Sequence, residues 1–204
     1  TMEEIKEIGE TVGGTIAWGG AVNMAPADDL IIRVEYPLGI DPYSQVIASV
    51  LAKKKAVGAE FMVLDIPMGK GTKVPNMELA RQYANDFIEI GRRIGINVEC
   101  AITYGGQPIG HAIGPKAETR EALAALEWKE SPGSLIGKAT TIAGHLMEMG
   151  GVATHGSGKE KALEILKSGK AMEKMKEIIE AQGGNPDIRS DDIELGEHVY
   201  EYLS

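Results

Sequence analysis

The sequence predicts an α/β fold: a parallel or mixed sheet flanked by helices, with a helix-rich C-terminal half. Three observations predict it. Phe61–Ile66 and Val98–Tyr104 are short apolar runs of the kind found in strands covered on both faces. Between them, residues 76–93 carry Ala80, Tyr83, Ala84, Phe87, Ile90 and Gly91 at helical spacing. Beyond residue 117, single and paired glycines cut the chain into helix-length pieces.

In chain order, the first ten residues read as a helix with Ile5 and Ile8 on one side, stopped by Gly13-Gly14. Leu30-Ile31-Ile32-Arg33-Val34-Glu35-Tyr36 is β-rich and closed by Pro37 and Gly39, which predicts a strand. Asp41-Pro42 then opens a helix over 42–56, because Asp is a favoured N-cap and Pro a favoured first helical residue. Val46, Ile47, Val50 and Leu51 make its apolar stripe, and Gln45, Ser49 and Lys53 line another side at i, i+4, i+8. Phe61–Ile66, the helix over 76–93 and Val98–Tyr104 together form a βαβ unit, for which a parallel pair with a right-handed crossover is expected. Further helices are expected over 117–127, 134–149, 159–168 and 170–182, ended by Gly150-Gly151, Gly169 and Gly183-Gly184. After Asn185-Pro186 the chain turns polar and acidic and reads as a frayed tail or linker over 189–204.

Composition narrows the function classes. With 43% hydrophobic and 25% charged residues over 204 positions, one sizeable core is feasible without disulfides or metals. The single cysteine, Cys100, excludes an internal disulfide and fits a reducing cytoplasm. No apolar run reaches the ~18 to 20 residues of a membrane helix. Glu3, Glu4, Glu7 and Glu10 have the wrong sign for a secretory signal. A net charge of −9 argues against nucleic-acid binding, although a local basic pocket still suits a small anion. The four histidines show no metal-ligand spacing, so no metal is expected.

Two glycine loops invite a phosphate reading. Gly69-Lys70-Gly71-Thr72-Lys73 directly follows an expected strand, where ligands of open α/β sheets bind. On the residues alone, an ordinary strand-to-helix turn with solvated lysines is the better explanation. Gly156-Ser157-Gly158-Lys159 fails the Walker pattern, because Glu160 follows the lysine and Ala153 replaces the first glycine. Ser49 and Lys53 could face a ligand or form a solvated helix side, and Asp41 reads first as a cap.

Several blocks taken together resemble the nucleoside phosphorylases, the family that includes thymidine phosphorylase. They are Gly9-Glu10-Thr11-Val12-Gly13-Gly14-Thr15, the run from Trp18 to Asp29, Ile40-Asp41-Pro42, Ala48–Lys54, Gly69-Lys70-Gly71, Glu99–Gly105, Gly169-Lys170-Ala171 and Ala181–Asn185. The run from Trp18 to Asp29 is similar to the archaeal AMP phosphorylase branch. The resemblance implies an α/β phosphorylase domain over 1–25 and 57–188, with 26–56 contributing to a small helical lobe that associates into a homo-oligomer. It also implies that the chain is a central piece of a longer enzyme. An upstream phosphate-binding segment and a C-terminal domain are expected outside it, so the piece alone is expected to be inactive.

The implied activity is a pentosyl transfer, AMP plus phosphate giving adenine and ribose 1,5-bisphosphate. No cofactor is expected beyond inorganic phosphate as co-substrate. Asp41 takes the position of the proton donor to the leaving base. Ser49 and Lys73 match AMP-contacting positions. Lys53, and Arg33 after a one-residue gap, match base-reading positions of the pyrimidine enzymes. Thymidine or uridine phosphorolysis is the neighbouring alternative, and a non-catalytic oligomerising or ligand-binding domain is the alternative of another class.

Overall fold

The computed structural model describes residues 1–18, 22, 24–40, 42–129 and 131–196. Its centre is the expected βαβ unit. Strand β1 (Phe61–Met68) pairs in parallel with β2 (Asn97–Tyr104), in a register that sets Met62 against Val98 and Asp65 against Ala101. The connecting helix, Met77–Ile94, starts where the Asn76 side chain accepts the Leu79 N–H at 2.9 Å. It ends at Gly95, whose φ of 81° is the left-handed cap that glycine adopts without steric cost. Gly91 lies against β2 so closely that an added Cβ would stand 2.4 Å from Val98 Cγ2. The absent side chain therefore lets helix and strand meet.

Met62, Ile66, Ala80, Tyr83, Phe87, Ile96 and Val98 form the main core, joined by Ile47 and Leu51 from the helix Tyr43–Ala56. Tyr43 at the start of that helix stacks edge-on against Tyr83, with ring centroids 4.3 Å apart, and donates to Asp86 at 2.6 Å. The remaining helices complete the molecule. In chain order the helices are α1 (Met2–Val12), α2 (Pro26–Leu38), α3 (Tyr43–Ala56), α4 (Met77–Ile94), α5 (Pro115–Leu126), α6 (Gly133–Met149), α7 (Gly158–Lys167) and α8 (Lys170–Ala181). Among the described residues, none is long and apolar enough to cross a membrane.

Three local expectations change. Residues 30–36 are not a strand, for they lie inside α2. Pro26 opens that helix, Asp28 and Asp29 complement its N-terminal dipole, and Gly39 at φ 62° closes it. Its apolar side chains gain little burial: Leu30 is 62%, Val34 61% and Tyr36 88% exposed. The second change is at Pro42, which is the cap of α3 and not its first helical residue; Asp41 lies outside the described residues. The third is beyond Asn185, where the chain docks as a 3₁₀ turn over Ser190–Asp192 before reaching the end of the described part. Ser190 is buried there and donates to Glu127 from both its hydroxyl, at 2.5 Å, and its backbone N–H, at 3.1 Å.

Candidate functional site

The polar stripe of α3 has a partner. Gln45, Ser49 and Lys53 recur every four residues and so stand above one another on one side of the helix. They converge on the carboxylate of Asp28, on the first turn of α2. Ser49 Oγ donates to Asp28 Oδ2 at 2.9 Å, Gln45 Nε2 donates to Oδ1 at 3.2 Å, and Lys53 Nζ lies 2.6 Å from Oδ2. Lys53 also donates to Ser49 Oγ at 3.1 Å. Asp28 is only 6% exposed, whereas Lys53 remains 30% exposed, so the anion is the hidden base of the cluster and the ammonium its outer part.

Burial by itself raises the Asp28 carboxyl. The hydrogen bonds from Lys53, Ser49 and Gln45 and the positive charge of Lys53 outweigh it and hold the group below its ordinary range. Asp28 is therefore ionised and acts as an anchor. It fixes two of the candidate residues, Ser49 and Lys53, within hydrogen-bonding distance of each other.

Lys73 is placed by a second device. After β1 the chain turns through Gly69–Val74, where Gly69 N–H donates to the Val74 carbonyl at 3.0 Å and Thr72 N–H to the Gly69 carbonyl at 3.2 Å. Thr72 Oγ1 lies 2.8 Å from the Gly69 carbonyl and 2.9 Å from that of Val74, and Gly71 sits at φ 85°. The loop is thus held shut by Thr72, with Lys73 exposed beside it. It touches the loop that follows β2: a Cβ on Gly69 would stand 2.6 Å from Gly106 N, and one on Gly105 would stand 2.8 Å from Pro67 Cβ. Both loops crowd the carboxyl ends of the two strands, where parallel sheets place their ligands.

Arg33 lies on the exposed surface of α2 and takes no part in the Asp28 bonds. Asp41 falls outside the described residues. Asp28 is the member of the cluster that reading the sequence misses. Its signal was the unsatisfied polar stripe of α3, which required a partner 17 to 25 residues away that no local pattern names.

No protein-family model matches the chain. Individual proteins do. An AMP phosphorylase of Methanosarcina acetivorans is 60% identical over 98% of this chain and 39% of its own length. Those of Methanosarcina mazei and Thermococcus kodakarensis are 58% and 57% identical over all of this chain, and over 40% and 41% of their own lengths. Along its whole length the chain is thus similar to one stretch of AMP phosphorylases. It spans about two fifths of the length of these curated relatives, 39 to 41%.

Proposed function

We propose that this chain supplies the leaving-group and nucleobase side of a site for phosphorolysis of AMP. In the reaction an oxygen of inorganic phosphate bonds to C1′ of the ribose as the C1′–N bond to adenine breaks. The products are ribose 1,5-bisphosphate and adenine, with a proton delivered to the departing base. Asp41 is the proposed donor of that proton, and general-acid assistance of this kind contributes about 10²- to 10⁴-fold. Inorganic phosphate is the only other reactant, and no cofactor is required.

The observation that carries the reading is the anchoring of Ser49 and Lys53 by Asp28 in a chain 53 to 60% identical to AMP phosphorylases. The chemistry of the cluster supports a purine with an amino group. Ser49 Oγ gives its proton to Asp28 and one lone pair to Lys53. One lone pair remains, which accepts a hydrogen bond from an amine such as the exocyclic group of adenine. Thymine has no exocyclic amine and can meet this acceptor only through its ring N3–H. Lys53 keeps a further N–H for a ring acceptor, Lys73 reaches the same nucleotide from the strand-end loop, and Arg33 closes over the base from α2.

Exchanging this chain for the matching segment of the Methanosarcina acetivorans relative provides the test. The chimera is expected to release adenine from AMP faster than it releases thymine from thymidine. Ser49→Ala and Asp28→Asn should each lower kcat/KM for AMP by about tenfold or more, as expected when a buried hydrogen-bonded pair is broken. Faster cleavage of thymidine would overturn the reading. The 204-residue chain alone is expected to show turnover near background, because it covers only two fifths of its relatives.

A further inference from the structure

A second cleft opens between the carboxyl end of β2 and helix α6, with a volume of about 380 Å³. That is within the ~300 to 1,000 Å³ usual for small-molecule sites. None of Arg33, Ser49, Lys53 or Lys73 lines it, so it stands or falls independently of the phosphorolysis reading. We propose that this cleft binds a phosphate group, as inorganic phosphate or as a phosphomonoester, through Lys138, Lys159 and Ser134.

The argument begins with charge. The chain carries a net −9, yet no acidic side chain lines this cleft and two lysines do. Lys138, in the second turn of α6, is held at the cleft by Asp65 of β1, with Nζ 2.5 Å from Oδ2. Thr103 of β2 donates to the other oxygen of Asp65 at 2.6 Å, which fixes the carboxylate in turn. Lys138 is thereby oriented across the strand ends with two N–H groups left over. Lys159, on the first turn of α7, is exposed and has no ion-pair partner among the described residues. Its backbone is seated directly on α6, since a Cβ on Gly144 would come within 2.4 Å of Lys159 N. The pair Asp65–Lys138 is neutral, and Lys159 gives the cleft a net positive charge.

Donor geometry selects the class of anion. Ser134 lies on the first turn of α6, and Pro132, the cap of that helix, has no side-chain oxygen to occupy its N-terminal N–H groups. Ser134 and Lys138 stand one turn apart on the same face of α6 and Lys159 comes from α7, so two helices bring two ammonium groups and a hydroxyl to one cleft. Such an arrangement matches the three terminal oxygens of a tetrahedral phosphate better than the two of a planar carboxylate. Tyr104, 71% exposed at the rim, offers a ring face for whatever the phosphate is attached to.

The test is a titration of the ¹⁵N-labelled chain, followed by amide NMR at constant ionic strength, with inorganic phosphate, AMP and adenosine as separate probes. Saturable shifts at residues 103–109, 134–141 and 159 are expected with phosphate or AMP and not with adenosine. Saturation by phosphate itself identifies the free anion as the ligand, and saturation by AMP alone identifies the ester. Lys159→Gln leaves the Asp65–Lys138 pair intact and should weaken binding about tenfold, the loss of one charge-assisted contact. Ser134→Ala, at an exposed position, should weaken it about threefold. Absence of saturable shifts at these amides, or identical titrations for wild type and Lys159→Gln, overturns the proposal. If AMP shifts residues 45–53 but not the cleft, this proposal fails and the nucleobase reading stands; the opposite pattern sustains the cleft and removes that reading.

Discussion

Two carboxylates far apart in sequence, Asp28 and Glu127, are kept ionised by the same means. Burial pushes each up, and neighbouring lysines and hydroxyls more than reverse the effect. For Glu127 the burial is offset by Lys129 at 2.8 Å and by the two Ser190 bonds, and the carboxyl comes down to about 2 from the ordinary 4.5. A carboxylate lowered by folding stabilises the protein above its unfolded value and ceases to do so as the pH falls through its folded one. The contribution of Glu127 is therefore complete above about 4.5 and is lost on the way down to about 2. Thermal melts between neutral pH and about pH 3 should show the wild type losing more stability than Glu127→Gln, which has no such proton to take up. Parallel loss in the two proteins would remove Glu127 from the acid response. The same pairings mark what could be read at this scale. Ser49 and Lys53 were visible as a polar stripe because helical spacing is a local property. Their anchor Asp28 and the Ser190–Glu127 clasp, 63 residues apart in sequence, were not, because a tertiary hydrogen bond leaves no periodic trace.

At the scale of elements, strands β1 and β2 and helices α4 to α8 were legible, since each pairs a clear apolar period with a glycine or Asn boundary. Helix α2 was not. Leu30, Ile32, Val34, Tyr36 and Leu38 alternate as they would in a strand, but the sheet holds only two strands among the described residues and offers this segment no hydrogen-bonded place. The decision then passes to Pro26, the acidic first turn, the Gly39 cap and the grip of α3 on Asp28. Glycines divide likewise by context. Gly91→Ala would force a Cβ against Val98 Cγ2 and the Ile96 carbonyl, and should cost about 1 to 3 kcal/mol in denaturant unfolding. Gly9, inside α1 with nothing within 4 Å of an added Cβ, should instead gain about 0.5 to 1 kcal/mol as alanine. Equal effects at the two positions would mean that α4 and β2 can separate freely, contrary to the packing described.

For the whole molecule, the unequal distribution of burial is the feature that reaches beyond one chain. The core around β1, β2, α3 and α4 is closed, with Ala80, Ile96, Leu51 and Phe87 at 2% exposure or less. Helix α2, by contrast, presents Leu30, Val34, Tyr36 and Leu38 at 61 to 88% exposure. Leu30, Val34 and Leu38 repeat every four residues, so they form one ridge along the helix. Each such side chain withdrawn from water contributes on the order of 1.5 to 3 kcal/mol when fully covered. We propose that a second copy of the chain covers this ridge, as the helical lobe expected over 26–56 implies. Light scattering across a concentration series should therefore report a mass above 21.8 kDa that falls on dilution. Val34→Lys with Leu38→Lys, which places two like charges on the ridge without touching Asp28, should return the mass to that of one chain. A wild-type protein that stays at 21.8 kDa at every concentration would show that the ridge tolerates water and that α2 does not mediate self-association.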